Sequence, residues 1–491
     1  MLWAIVSAVL LSLSFSTLNL WWLAWFGLVP LFFVLEGKSK VKAFLLSYFT
    51  GIIFWACTIY WLVHVTLAGT IVLVLYLALY FAVFGTFFSF AASFSTRHLI
   101  LFLPSLWVLL EYARSHLFTG FPWALLGYSQ YKILPLIQIA DITGAWGVSF
   151  LVVMVNVLIF ICLRKKSSVL RYLVLFTVIT LPVIFYGFYQ LRPQQTAGLT
   201  QLRLSVIQPN ISQDLKWNSS FRKYIIDKYV FLTKQAAQDK PDLIVWPEAS
   251  YPGVVGEDDQ DFSQVLSLAK DIKTPIIIGA VVNEDRKYSN SAFLIDDSGE
   301  LIGRYDKLHL VPFGEYIPLK STFPFLESFA PIGDIERGKE FKIFMHTAGN
   351  FCVLICFEDL FPELTREFTK KGADFLVNIT NDAWYKKTSA ALQHFQASVF
   401  RAVENRRPLV RAANTGISGF ISSSGKIISL VEDPSNETLF IDGFKTEEII
   451  ISGRSVSFYT RFGDVFIAVC FLLLCCGIIL SFKRIPARLT A

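Results

Sequence analysis

Four stretches of this chain carry side chains whose types and positions could do chemistry. The first is FCVLICFEDL, Phe351 to Leu360. Its apolar, partly β-branched run (Phe351, Val353, Leu354, Ile355) reads as a buried strand ending on Cys356. Glu358 and Asp359 follow at once, and Phe361-Pro362-Glu363 opens a helix, where proline is tolerated in the first turn. A strand running into a helix leaves its junction residue at a sharp turn. The helix N-terminus there favours a thiolate and aims backbone N–H groups at a developing oxyanion. The plainer alternative is that Cys356 is a small core hydrophobe, as most cysteines are.

The second stretch is LIVWPEAS, where a strand ends in Trp246-Pro247-Glu248. A carboxylate just past a buried strand is often a solvated loop charge, but α/β folds also place catalytic groups there. The third, GRYDKLHLVPFGEYIP, sets Lys307 and Glu315 eight residues apart in a Pro/Gly-rich segment. An exposed lysine would be ordinary surface. The fourth, NITNDAWY (378–385), is another strand entering polar loop residues.

The elements that must position these residues alternate through 200–455. Residues 202–208, 242–246, 275–280, 291–296, 351–356 and 374–379 read as strands. Phe221, Ile225, Tyr229, Leu232 and Ala236 keep a helical apolar face, and 390–405 reads as a second helix. This order predicts a layered α/β domain with buried sheets.

The remainder of the chain is of another kind. Of 491 residues, 54% are hydrophobic and only 17% charged, and the mean hydropathy is +0.53. A soluble globular chain of this length is less apolar, so a membrane protein with a sizeable soluble part is expected. Apolar spans read near 2–18, 19–35, 44–63, 69–95, 99–113, 145–163, 173–191 and 465–482. Most match the roughly 20 residues that ~30 Å of hydrocarbon requires; 99–113 is short and carries Glu111. Leu2 to Phe15 lacks the basic flank and cleavage site of a signal peptide, so a retained helix is expected.

Lys38, Lys40, Lys42, Arg97, Arg164, Lys165, Lys166, Arg171, Lys483, Arg484 and Arg488 fall on one side of these spans. Only Arg114 and Lys132 fall in the opposite short loops. By the positive-inside rule both termini are cytoplasmic and 192–464 lies outside. The aromatic segment 111–144 reads as an amphipathic stretch at the outer membrane face, or as an aromatic belt. The net charge of +6 without a Lys/Arg run argues against nucleic acid. Cys352 and Cys356, four residues apart on one strand, would lie about 13 Å apart, too far for a disulfide. No CxxC or His/Cys cluster points to a metal, and no cofactor is expected.

The Glu of WPE, the Lys of DKLHLVPFGE and the Cys of the CFE elbow together resemble the nitrilase superfamily, with its Glu-Lys-Cys triad. HFQASVFRAVENRRPLVRAANTGISGFISSSGKI (394–427) adds to the likeness. The whole chain is similar to the apolipoprotein N-acyltransferase family of the bacterial inner membrane, and GFPWALLGYSQ and VPFGEYIP add to that match. One departure is Phe357, where the family more often has Tyr.

The resemblance implies eight transmembrane helices with a nitrilase-like α-β-β-α sandwich inserted before the last. The domains would be 1–191, 192–464 and 465–491. It implies Cys356 as nucleophile and Glu248 as general base. Lys307, with the Phe357 backbone N–H, would stabilise the oxyanion. Glu315 and Glu358 would support Lys307 and the pocket, and Trp217 would match a residue on an arm over the site. The implied reaction moves the sn-1 acyl chain of a phospholipid, typically phosphatidylethanolamine, to the α-amine of a diacylglyceryl-cysteine on an apolipoprotein, through a thioester. A membrane-tethered amidase or nitrilase on a small C–N substrate is the alternative enzyme. A transporter with a non-catalytic outer domain is disfavoured, because most spans lack ionisable residues and no inverted repeat is seen.

Overall fold

The computed structural model describes residues 1–91, 96–164, 169–192, 199–257, 259–317, 320, 335–451, 453 and 455–482. The expected topogenic residues Lys165, Lys166, Lys483, Arg484 and Arg488, and Pro318 of VPFGEYIP, lie outside these. The chain forms two compact units. One comprises residues 1–63, 67–192 and 462 onward; the other comprises 64–66 and 193–461.

The first unit is helical. Among the described residues, four of its helices are long and apolar enough to cross a membrane: Lys40–Thr58, Leu67–Ala91, Ala145–Arg164 and Val169–Gln190. The Ala145–Arg164 helix is buried on nearly every side, whereas only Tyr172 and Gly187 are buried on Val169–Gln190. Its apolar outer surface suits lipid and not water.

Three expected spans differ in form. The first is a helix of 12 residues, Leu2–Leu13, about 18 Å long. The second, 19–35, is broken into a 3-10 turn (Trp21–Trp25) and a short helix (Val29–Leu35) with proline in its first turn. Buried Asn156 explains how the break is tolerated: its Nδ2 donates to Ala24 O (2.8 Å) and its Oδ1 accepts from Leu28 N (2.8 Å). Backbone groups freed from a helix in an apolar setting need such partners. The third is 99–113, which belongs to a longer helix, Thr96–His116, with Pro104 inside it.

Segment 111–144 is at the surface at His116, Leu117 and Phe118 but not along its length. From Gly120 onward it is mostly buried within the helical unit. Glu111 Oε1 accepts from Leu126 N (2.7 Å). Arg114 Nη1 donates to the carbonyls of Phe121 (2.6 Å) and Trp123 (2.7 Å). Arg114, expected as a loop cation, is therefore a buried clamp on this segment.

The second unit holds two sheets. The strands are β1 (Thr200–Gln208), β2 (Leu243–Val245), β3 (Val254–Val255), β4 (Ile276–Glu284), β5 (Lys287–Ile295), β6 (Leu301–Asp306), β7 (Phe351–Ile355), β8 (Phe375–Thr380), β9 (Leu409–Ala413), β10 (Gly419–Ile421), β11 (Ile427–Leu430) and β12 (Gly443–Ile451). One sheet runs β12-β1-β2-β4-β5-β6, with β3 on β4; the other runs β11-β10-β9-β8-β7. All the strands expected from sequence are present. β7, β8 and β9 are parallel and fully buried, which is why β7 is a continuous apolar run and β8 and β9 are apolar but for Asn378, Thr380 and Arg411.

The helices Arg222–Ala236 and Asp259–Ile272 share a core with the first sheet: Ile225, Tyr229 and Leu232 with Val265 and Leu268, against Ile244, Ile276, Ile278 and Phe293. The helices Pro362–Lys370 and Ala390–Asn405 belong to the second sheet. Tyr305 of β6 reaches across from one sheet to the other and donates to Glu358, beyond β7.

Candidate active site

Glu248 stands on a strained turn. β2 ends at Val245, and Trp246 is buried against Tyr229, ring centroids 4.4 Å apart, with its Nε1 donating to Thr233. Ala249 then takes φ +44°, a left-handed conformation uncommon for a residue with a Cβ. The turn lies hard against β4 at Gly279. A Cβ there would sit 2.6 Å from Ala249 N and 2.8 Å from Glu248 Cα, so only glycine fits. The Ser250 hydroxyl fastens the approach, accepting from Gly279 N (3.1 Å) and donating to its carbonyl (3.0 Å).

Lys307 follows β6 directly and its side chain is 1% exposed. Its Nζ lies 2.8 Å from Glu315 Oε1 and 3.4 Å from Glu248 Oε1. Asn290 of β5 ties the two carboxylates together, donating from Nδ2 to Glu248 Oε1 (2.8 Å) and Glu315 Oε1 (2.9 Å). Glu315 Oε2 accepts from Val311 N (2.8 Å), which closes the loop between Lys307 and Glu315. The eight-residue spacing is thus a loop that brings its own counter-ion back to the lysine.

Cys356 sits at the end of β7 with φ +54°. Strain of this kind persists only where surrounding contacts over-determine it, and here they do. Glu358, fully buried, accepts from Ile355 N (2.7 Å), Leu308 N (2.6 Å), His309 N (3.0 Å) and Tyr305 OH (2.8 Å). One carboxylate therefore holds the backbone just before Cys356 and just after Lys307. From behind, Asn378 Nδ2 donates to Cys356 O (3.2 Å), and His394 Nε2 lies 3.2 Å from the same carbonyl.

His394 belongs to a buried polar network. Its Nε2 is 2.8 Å from Asp359 Oδ1 and its Nδ1 3.0 Å from Asp382 Oδ1. Arg411 donates to Asp359 (3.0 Å), Asp382 (3.3 Å) and Asn378 Oδ1 (2.6 Å). Buried charges are tolerated when paired and hydrogen-bonded in this way.

The electrostatics follow from burial and pairing. Burial pushes the Cys356 thiol up, and the Glu248 charge adds to this; Lys307 and the Thr380 hydroxyl oppose it. Burial disfavours the Lys307 ammonium, but Glu315 and then Glu248 outweigh it and hold Lys307 well above its usual range. Burial raises Glu358 to about 7 against the N–H groups of Ile355 and His309; those donors are accepted in full only by a carboxylate. His394 rises to about 9, since Asp359 and Asp382 outweigh burial and the nearby Arg411. Burial pushes Lys216 down to about 8 against the pull of Glu248 and Cys356.

Of the residues expected from sequence, Glu248, Lys307, Glu315 and Cys356 come together in one buried cluster. Glu358 reaches the cluster through backbone N–H groups, not the lysine ammonium. Phe357 is buried, its ring 5.1 Å from Phe361. Trp217 is half-exposed, one residue beyond a short helix, Gln213–Lys216. Sequence reasoning singled out the stretches that hold Asp359, Asn378, Asp382, His394 and Arg411 but gave these residues no role, and it missed Asn290 and Lys216. Each is a polar residue inside an element that reads as ordinary strand, helix or loop. Their only sequence signal was a polar atom where burial predicts an apolar one. Such an arrangement equips the cysteine with an adjacent base, a fixed cation and a dry setting, the requirements of acyl transfer through a thiol.

A strand-end cysteine on a left-handed turn, facing a lysine held by two glutamates between two sheets, defines a carbon-nitrogen hydrolase type of domain. The family model described as carbon-nitrogen hydrolase matches residues 203–451. The one described as apolipoprotein N-acyltransferase N-terminal domain matches 7–158. A relative from Geobacter metallireducens named apolipoprotein N-acyltransferase is 41% identical over 96% of this chain and 92% of its own. One of the same name from Chlorobaculum tepidum is 28% identical over 95% and 93%. A solved amidase from Nesterenkonia sp. aligns at 17% identity and TM-score 0.41, covering 55% of this chain and 97% of that one. The chain belongs to the apolipoprotein N-acyltransferase family.

Proposed function

We propose that this protein transfers an acyl chain from a phospholipid, the sn-1 chain of phosphatidylethanolamine, to the α-amine of the diacylglyceryl-cysteine of apolipoproteins. It is an acyltransferase of lipoprotein maturation. The observation that carries this reading is the buried Cys356–Glu248–Lys307 cluster in a chain whose other unit holds four helices able to cross a membrane. Two lipid substrates give a membrane-tethered thiol a purpose that a small soluble amide does not. We place the enzyme in the bacterial inner membrane with eight spans, residues 1–191 and 465–491 forming the membrane part. Residues 192–464 form the catalytic domain on the periplasmic side, and both termini are cytoplasmic.

In the first half-reaction Glu248 takes the Cys356 proton and the sulfur attacks the sn-1 ester carbonyl. Lys307 and the Phe357 backbone N–H stabilise the tetrahedral oxyanion. Preorganised donors in a dry site are worth several kcal/mol there. Collapse breaks the ester C–O bond, and the departing lysophospholipid alkoxide takes the proton from Glu248. A thioester remains on Cys356. In the second half-reaction the neutral acceptor amine attacks the thioester, Glu248 receives its proton, and the amide forms as the Cys356 thiolate leaves and takes that proton back from Glu248.

Mass spectrometry tests this. Enzyme given phospholipid alone accumulates one acyl chain on Cys356, released by hydroxylamine at neutral pH and moved to a diacylglyceryl-peptide with a free N-terminus. A requirement for both substrates at once, with no trappable thioester, would replace this mechanism with direct transfer. Loss of the acyl group to water as fast as it forms, or ammonia release from small amides, would favour the hydrolase alternative.

A further inference from the structure

The mechanism above leaves a buried lysine beside Glu248 unused. Lys216 is 4% exposed, and its Nζ donates to the backbone carbonyl of Glu248 at 3.1 Å. Among the described residues, this is the one hydrogen bond found for an ammonium with three donors. A buried ammonium so poorly supplied is expensive unless anionic groups stand beside it. Those groups are the Glu248 carboxylate and Cys356, which both favour its charged form. The position is built rather than incidental. Asn414 brackets Ile211, accepting from its N–H (2.8 Å) and donating to its carbonyl (2.7 Å). Asn381 donates to Gln213 Oε1 (3.1 Å). The segment that carries Lys216 is thus tied to the ends of β8, the strand beside β7, and of β9, the next one.

Charge accounting shows what such a lysine does. At rest the cluster holds Glu248 and Glu315 against Lys307 and Lys216. When the S–H bond of Cys356 breaks and its proton joins Glu248, the negative charge moves to sulfur. Lys307 remains shared with Glu315 at 2.8 Å, so it cannot follow that charge fully. We propose that Lys216 is a fourth functional residue of this site, a positioning residue. Its ammonium, fixed on the Glu248 backbone, compensates the negative charge as it passes from Glu248 to Cys356. This rests on the thiol chemistry proposed above, but not on which acyl donor or acceptor is used.

The groups that bear on the thiol are Glu248, Lys307, Asp382, Tyr385, the Thr380 hydroxyl and Lys216. Removing only Lys216 isolates its share. The experiment follows alkylation of Cys356 by iodoacetamide against pH, read on the Cys356 peptide by mass spectrometry, in full-length protein in detergent. Lys216→Met is nearly the same size and removes a buried charge, so its unfolding temperature stays at or above that of the wild type. Its alkylation curve moves up by about one pH unit, and labelling at neutral pH slows about tenfold. Lys216→Arg, which keeps the charge, stays within about threefold of wild type. Coincident wild-type and Lys216→Met curves, or a Lys216→Arg curve that follows Lys216→Met, would overturn the proposal. The assay contains neither lipid nor lipoprotein. An enzyme that shows the shift but transfers no acyl chain sinks the proposed reaction and leaves this inference standing.

Discussion

Replacing Glu358 by Gln keeps its size and removes its charge, and the consequence can be worked from its four partners. The carboxylate accepts Leu308 N, His309 N and Tyr305 OH at Oε1 and Ile355 N at Oε2. A glutamine offers one acceptor oxygen and one NH2. Whichever way it is turned, the NH2 faces at least one backbone N–H that cannot accept. One charge-assisted hydrogen bond is lost, worth about 1.5–3 kcal/mol, and a buried donor is stranded at about 1–3 kcal/mol. The total is about 3–5 kcal/mol, a large part of a typical domain's stability but not all of it. The expected fall in unfolding temperature is on the order of 10 °C. Activity falls further, because Ile355 precedes Cys356 and Leu308 follows Lys307. A displacement of about 1 Å at either costs on the order of a hundredfold in rate. The assay is acyl-enzyme formation with phospholipid alone, read beside thermal unfolding in detergent. A Glu358→Gln enzyme with wild-type unfolding temperature and a rate within about twofold would refute the view that this carboxylate joins the two catalytic strands.

Cys356→Ala, Glu248→Gln and Lys307→Met should each abolish acyl-enzyme formation while leaving the protein folded, since residues acting as a unit are not additive; Cys352→Ala, a change inside β7, should stay near wild type. An active Cys356→Ala paired with a dead Cys352→Ala would move the nucleophile to the other cysteine. Stability should also depend on pH through His394. Its pKa is about 9 in the fold against 6.5 for the free side chain, so its contribution of about 3 kcal/mol is fully present below 6.5 and lost as pH rises through 9. Unfolding temperatures measured across that window should fall for the wild type and flatten for His394→Gln; parallel slopes would count against the charged network. For topology, a reporter active only in the periplasm should work when fused after Thr200 and be silent after Lys483, and the reverse pattern would invert the placement.

The alternating apolar runs of 200–455, the Cys356 strand end and the Glu248 and Lys307 loops were legible in the sequence. Each rests on local physics: the buried strands β2 and β7 are apolar runs that stop just before Glu248 and Cys356, and Pro and Gly mark the loop after Lys307. Strands β9 to β12 were less visible. β12 owes its place to antiparallel pairing with β1 from Thr200↔Ile451 to Gln208↔Gly443, a partner more than 230 residues away that no window contains. The second apolar segment read as one span because hydropathy sees no hydrogen bonds, and Asn156 supplies the partners that let it break. Arg114 read as a loop charge because only the fold shows the carbonyls of Phe121 and Trp123 turned toward it. What tertiary structure alone decided is the electrostatics of the site. A lysine is solvated surface or part of a buried cluster by what surrounds it, and the surroundings of Lys307 and Lys216 differ. Two glutamates held by Asn290 keep the first charged, while burial pushes the second down to about 8 against the pull of Glu248 and Cys356.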